Sequence, residues 1–319
     1  MKTLDASLPR AGPLDQASRL RAAVLNLPEH DRVADPRAPA PGAPVLAITS
    51  GKGGVGKTSL AVNIAIALAK RGLRVVVVDA DLGMANADVL CGLNPTRRLE
   101  LAIPAGGTRT RLSDLAVDAP GGFRLVPGSS GIARMAAMSN TERDAVLAQV
   151  DELRGDADVV ILDTGAGLSP GVLDFVEAAQ YALVVATPEP TSIADAYAML
   201  KCLVRRGVAS TRGIRLYLGV NQAIDQDEAA RVHARIAGVA QRFLGAGVES
   251  AGYVRSDPAA SNAVRARVPL LLHAPASRAA LDVRTLSDFV ARALELRPGE
   301  EAAGMFRRFL RVLSRPNRW

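Results

Sequence analysis

The sequence predicts an α/β fold, a doubly wound and mainly parallel sheet with helices on both faces. Three observations predict it: short apolar runs recur along residues 45–298, helix-period segments fall between most of them, and the first run leads directly into a glycine-rich loop. Strands that are apolar on both faces and spaced by helices belong to a parallel sheet covered on both sides. The runs are VLAIT (45–49), RVVVVDA (74–80), FRLVP (123–127), DVVILD (158–163), ALVVATP (182–188), IRLYLGV (214–220) and a weaker GVESAGYV (247–254). Helical periodicity covers about 57–71, 139–154, 170–179, 191–206 and 226–244. The chain of 319 residues is 49% hydrophobic but only 3% aromatic, so its core is aliphatic.

Two further segments flank this domain. PRAPAPGAP (36–44) favours extended backbone and reads as a linker after an N-terminal arm, residues 1–35. In the arm, Leu14, Ala17, Leu20, Val24 and Leu27 recur at helical spacing, which predicts an amphipathic helix over about 13–27. At the other end, residues 299–319 place Met305, Phe306, Phe309, Leu310, Val312 and Leu313 on one face of a helical wheel. Arg307, Arg308, Arg311 and Arg315 fall on the other. Such a segment predicts an interfacial helix, its apolar side among lipids and its arginines on anionic headgroups.

Composition excludes several function classes. No run approaches the 18 uncharged apolar residues of a membrane span, and MKTLDASLPR lacks the apolar stretch of a secretory signal, so a cytoplasmic protein is expected. Cys91 and Cys202 are too few and too far apart for a disulfide framework or a cysteine zinc site. His30, His233 and His273 show no metal-ligand spacing. The net charge of +7 is local: residues 305–319 carry five arginines and no acid, so the body is close to neutral. A body that tracks nucleic acid would spread its basic charge differently, and no specific nucleic acid is expected.

The loop after the first strand, Gly51-Lys52-Gly53-Gly54-Val55-Gly56-Lys57-Thr58, followed by Ser59, fits G-x-x-x-x-G-K-[ST] in a strand–loop–helix setting. Its glycines let backbone N–H groups curl round phosphates at a helix N-terminus. Lys57 would reach the β- and γ-phosphates, and the Thr58 hydroxyl would coordinate Mg²⁺. GKGGVG also satisfies the dinucleotide pattern G-x-G-x-x-G, with Asp79 near the position of a ribose-binding acid. A dinucleotide site has no use for Lys57-Thr58, whereas a triphosphate site needs both, and Asp163 after an apolar strand supplies a carboxylate for the cation. Asp79 and Asp81, at i and i+2 at the end of the second strand, are placed to face the same edge. Gly167-Leu168-Ser169-Pro170-Gly171 matches the hydrolase elbow G-x-S-x-G, but the oxyanion hole needs the N–H that Pro170 lacks.

KGGVGKT, with a lysine at the second loop position, resembles the deviant Walker A signature of the MinD/ParA ATPases of the SIMIBI class of P-loop NTPases. The resemblance implies a weak, regulatory ATPase using ATP and Mg²⁺. It implies an ATP-dependent homodimer in which Lys52 contacts the phosphates of the other subunit, Asp81 orients the attacking water, and Asp79 supports Mg²⁺ or the loop. Asn221 matches an adenine-contacting asparagine, and Asp163-Thr164-Gly165-Ala166-Gly167 the second switch.

DADLGMANADVLCGLNP (79–95), LDTGAGLSPGVLDFV (162–176) and TPEPTSIADAYAMLK (187–201) look like the FlhG/FleN (YlxH-type) regulators of flagellar number. In the arm, Asp15, Gln16, Ala17, Leu20 and Arg21 match the element through which that family docks on the SRP-type GTPase FlhF. The same resemblance implies a flagellar C-ring protein or transcription regulator as a further partner, and attachment to an anionic membrane surface through Met305, Phe306, Phe309, Leu310 and Leu313. The competing reading is a ParA-like DNA- or cargo-partitioning ATPase, against which the near-neutral body and lipid-type tail argue. An iron-protein-like redox carrier would need paired cysteines.

Overall fold

The computed structural model describes residues 42–81, 83–103, 110–129, 138–207 and 213–297. The arm with Asp15, Gln16, Ala17, Leu20 and Arg21, and the tail with Met305, Phe306, Phe309, Leu310 and Leu313, lie outside the described residues. Eight strands form one sheet: β1 (Val45–Ser50), β2 (Val75–Ala80), β3 (Val117–Ala119), β4 (Phe123–Val126), β5 (Val159–Ala166), β6 (Tyr181–Ala186), β7 (Arg215–Ala223) and β8 (Glu249–Arg255). Their order is β3-β4-β2-β5-β1-β6-β7-β8. Every neighbouring pair is parallel except β3 and β4, which run antiparallel.

The helices are α1 (Lys57–Ala69), α2 (Ala87–Leu90), α3 (Leu112–Leu115), α4 (Asn140–Leu153), α5 (Pro170–Glu177), α6 (Pro190–Arg205), α7 (Gln226–Leu244), α8 (Pro258–Ala266), α9 (Leu270–His273) and α10 (Arg278–Ala293). Alternation along each strand sends side chains to two separate cores. Val45, Ala47, Val76, Val78, Val160 and Leu162 meet α4, α5, α6 and α7. Leu46, Ile48, Val75, Val77, Val159 and Ile161 meet α1, α9 and α10 on the other face. Both faces of the central strands are therefore dry, which is why those strands read as unbroken apolar runs. None of the described helices is long and apolar enough to cross a membrane.

Local chemistry sets the helix starts. Ser139 and Glu142 form a reciprocal capping box at α4. Ser169 accepts from the Val172 N–H as the N-cap of α5, with Pro170 in the first turn. That serine is a cap, in agreement with its exclusion as a nucleophile. The predicted strand 158–163 extends further, to Ala166, so Asp163 lies within β5. β3, α2, α3, α8, α9 and α10 are additions to the elements predicted from periodicity. α10 escapes the pattern because it buries two polar residues, Asp282 and Ser287. Asp282 accepts two bonds from the Arg255 guanidinium, and Ser287 Oγ donates to Val283 O at 2.7 Å.

β1 sits between β5 and β6, and its C-terminal end opens onto the crevice where the sheet changes winding direction. Open α/β sheets bind ligands at such a switch point.

Candidate functional site

The loop leaves β1 at Ser50, whose Oγ donates to Lys52 O at 2.6 Å. Gly54 and Gly56 have φ of 78° and 91°, so both need the left-handed region that glycine allows. Gly51 is required for another reason: a Cβ there would lie 2.1 Å from Asp195 O in α6. Gly56 caps α1, directing the first-turn N–H groups of that helix toward the crevice.

Lys57 opens α1 and is buried, and burial pushes its ammonium below the usual lysine value although Asp163 and Asp81 pull the other way. Asp163 pairs in register with Asp79 across β5 and β2, which brings two carboxylates side by side. Burial, followed by the charge of Asp79, raises Asp163 well above the usual carboxylate range. Neither Asp163 oxygen is satisfied by a well-formed hydrogen bond, and both are sealed from solvent. The Thr58 hydroxyl and the Lys57 ammonium are the neighbours that favour its charge. An orphaned buried carboxylate beside a threonine hydroxyl, in a loop shaped for phosphates, fits Mg²⁺, which is held by one or two protein groups plus phosphate and water.

Asp79 is equally buried, but its oxygens are engaged. Oδ1 accepts from Asp81 N at 3.2 Å, and Oδ2 from Asn86 N and Ala87 N at 3.0 Å each. Burial lifts its pKa to about 6 against the opposing pull of these N–H groups. Its hydrogen bonds therefore hold the loop that carries Asp81 and the start of α2. Asp81 Oδ1 accepts from Gly83 N and Met84 N, and a Cβ on Gly165 would come 3.2 Å from that oxygen. Asp81 thus lies against the segment that follows Asp163. Thr164 Oγ1 donates to Ile48 O, and Gly167 N to Ser50 O, tying the segment after Asp163 to β1.

Lys52 stands apart from this cluster. Its Nζ donates to Glu189 Oε2 at 2.5 Å and to Thr191 Oγ1 at 2.9 Å, at the start of α6. Asn221, at the end of β7, donates from Nδ2 to Val55 O at 2.8 Å. Gly53 and Ser59 complete the loop, with Ser59 O accepting from Asn63 Nδ2. The structure thus gathers Lys57, Thr58, Asp79, Asp81 and Asp163, sets Asn221 on the loop, and turns Lys52 away.

Sequence reasoning passed over three residues. Glu189 lies between Pro188 and Pro190; the residue before a proline is held extended, and such a flanked acid is a visible signal. Gly128 has no room for a side chain, since a Cβ would meet Ala85 Cβ at 2.4 Å and Asp79 Cγ at 2.9 Å. Arg98 bridges Asp88 Oδ2 at 2.7 Å and Gly128 O at 3.3 Å, bracing the same loop from behind. Neither Gly128 nor Arg98 carries a local sequence signal.

Residues 46–264 match the family described as the CobQ/CobB/MinD/ParA nucleotide binding domain. The chain is 38% identical over 247 residues to the antiactivator FleN of Pseudomonas aeruginosa, covering 77% of this chain and 85% of that protein. It is 29% identical over 273 residues to the flagellum site-determining protein YlxH of Helicobacter pylori, covering 84% of this chain and 90% of that one. In fold it is similar to the septum site-determining protein MinD of Pyrococcus horikoshii, solved with Mg-ADP. The TM-score is 0.65 at 21% identity, over 78% of this chain and 96% of that one.

Proposed function

The chain belongs to the CobQ/CobB/MinD/ParA family of nucleotide-binding proteins, and on that premise we propose that it is an ATP-driven flagellar regulator that closes into a homodimer around ATP. It is an ATPase that uses Mg²⁺. Bound ATP supplies a polyanion and Mg²⁺ a divalent charge; the chain's own residues orient and stabilise them. Backbone N–H groups of Gly53–Thr58 cradle the phosphates and Lys57 balances the charge that builds on the terminal one. Thr58 and Asp163 hold the cation, Asp79 fixes the loop, and Asp81 orients water. Gly165 and Gly167 let the second switch move once the terminal phosphate leaves.

The position of Lys52 is the observation that carries the dimer. The lysine belongs to the phosphate loop, yet its ammonium is held by Glu189 and Thr191 and not by the acids that surround Lys57. An exposed ion pair is worth only about 0–1 kcal/mol, so a partner's phosphates outcompete it at little cost. Hydrolysis then waits for Lys52 to cross between copies.

The biological setting is supported by a relative named as a flagellum site-determining protein and by the antiactivator FleN, the family whose motifs the sequence resembles, each aligned with most of this chain. In this reading the arm docks on an FlhF-type GTPase through Asp15, Gln16, Ala17, Leu20 and Arg21. The dimer presents two tails, whose Met305, Phe306, Phe309, Leu310 and Leu313 enter an anionic membrane together, so attachment follows ATP through avidity. A flagellar C-ring protein or transcription regulator is the further partner. Co-sedimentation with anionic liposomes tests the switch: intact protein should pellet with ATP and stay soluble with ADP, and protein ending at residue 303 should stay soluble in both. Equal pelleting with ATP and ADP would sink it.

A further inference from the structure

The end of β7 carries a distortion that the sheet itself does not require. Asn221 pairs with Val254 and Ala223 with Arg255, which leaves Gln222 as an extra residue, a β-bulge. Its φ is 60°, in the left-handed region. The other described non-glycine residues in that region, Arg267 and Glu295, follow helix ends, where the conformation is common. Gln222 ends no helix. Backbone strain of this kind persists where its surroundings over-determine it, and it clusters at functional sites.

The phosphate loop lies against this bulge. Asn221 Nδ2 donates to Val55 O at 2.8 Å, Gln222 Nε2 donates to Gly54 O at 3.4 Å, and Gln222 N donates to Asn221 Oδ1 at 3.0 Å. Contact is close enough that a Cβ on Gly56 would come 2.4 Å from Asn221 Nδ2. Adjacent residues of a regular strand point to opposite faces, so only the bulge lets both amides address one loop. A carbonyl held from outside fixes its peptide plane. The Gly54 carbonyl shares a plane with the Val55 N–H, and the Val55 carbonyl with the Gly56 N–H. In a loop that binds anions through N–H groups, those planes decide where the donors aim.

We propose that Gln222 is a positioning residue of the phosphate loop: with Asn221, it holds the Gly54 and Val55 carbonyls outward so that the Val55 and Gly56 N–H groups face the phosphates. The strain serves nucleotide binding and not folding. This role requires only that the loop binds ATP and is independent of the membrane and flagellar assignments.

Gln222→Gly removes the amide and the strain together. The full-length nucleotide-free protein should keep or raise its Tm, while KM for ATP and Kd for Mg-ADP rise about three- to tenfold, the effect of losing one hydrogen bond. kcat at saturating ATP should hold, because Lys57, Asp81 and Asp163 are untouched. Gln222→Ala, which loses the amide and keeps the strain, should weaken binding without any gain in Tm. Unchanged nucleotide affinity in both variants would overturn the assignment. So would a fall in Tm that accompanies weaker binding in Gln222→Gly, since that marks a merely structural residue. ATP turnover by the unaltered protein, measured alongside, separates a failure of this assignment from a failure of the ATPase itself.

Discussion

Two lysines of one loop meet opposite surroundings. Lys57 is buried among Asp163 and Asp81 at the start of α1. The Lys52 side chain is 37% exposed and pairs with Glu189, itself 61% exposed. The difference separates the fixed part of the site from the part that can change partner. A buried ion costs too much to leave its partners, so Lys57 is a fixed component of the pocket. A solvated ion pair breaks and re-forms cheaply, so Lys52 is free to change partner.

The sharpest way to break this contrast is at Lys57. Lys57→Ala should lower ATP turnover by about 10²- to 10³-fold, the usual cost of removing one charge-stabilising donor. Phosphate release measures it, with circular dichroism confirming the fold. Turnover within a few-fold of normal would mean that the buried lysine is not part of the chemistry.

A second effect, on stability, belongs to the buried side of the comparison. Burial holds the Asp79 carboxyl at about 6 in the folded chain, against its ordinary 3.8. The folded state therefore binds this proton more tightly than the unfolded one. Its contribution to stability is full below 3.8 and is lost as pH rises through about 6. Chemical denaturation of nucleotide-free protein between pH 4 and 7 should show that decline, and Asp79→Asn should reduce it, the remainder belonging to Asp163, whose carboxyl is raised as well. A decline of equal size in the variant would place the titration elsewhere.

The smallest effect on folding is expected at Lys52. Lys52→Ala should change folding stability by less than about 1 kcal/mol and leave the nucleotide affinity of the single copy intact. The same variant should fail to form an ATP-dependent dimer by light scattering. If it dimerises and hydrolyses ATP normally, the exposed lysine is only a surface charge.

Much of this molecule was legible because its physics is local. VLAIT and DVVILD announce central strands, since a parallel sheet dries both faces. The phosphate loop is legible because only glycines allow its backbone, and Lys57 and Thr58 must follow at fixed distance. The region after residue 256 was not. Asp257 accepts from Ala259 N at the start of α8 and Ala279 N in the first turn of α10, linking two helices through contacts distant in sequence. α10 hides its periodicity by burying Asp282 against an arginine from β8.

The sequence by itself determined the class of fold, the phosphate loop with its strand–loop–helix setting, and the acids available for a cation, because each follows from neighbours in the chain. Tertiary structure decided what those residues do. It placed Asp79 beside Asp163, left the latter's oxygens unsatisfied, turned Lys52 onto Glu189, and bent β7 at Gln222 onto the loop. Those outcomes depend on charge burial and on contacts between segments far apart in sequence, which no local pattern of residues encodes.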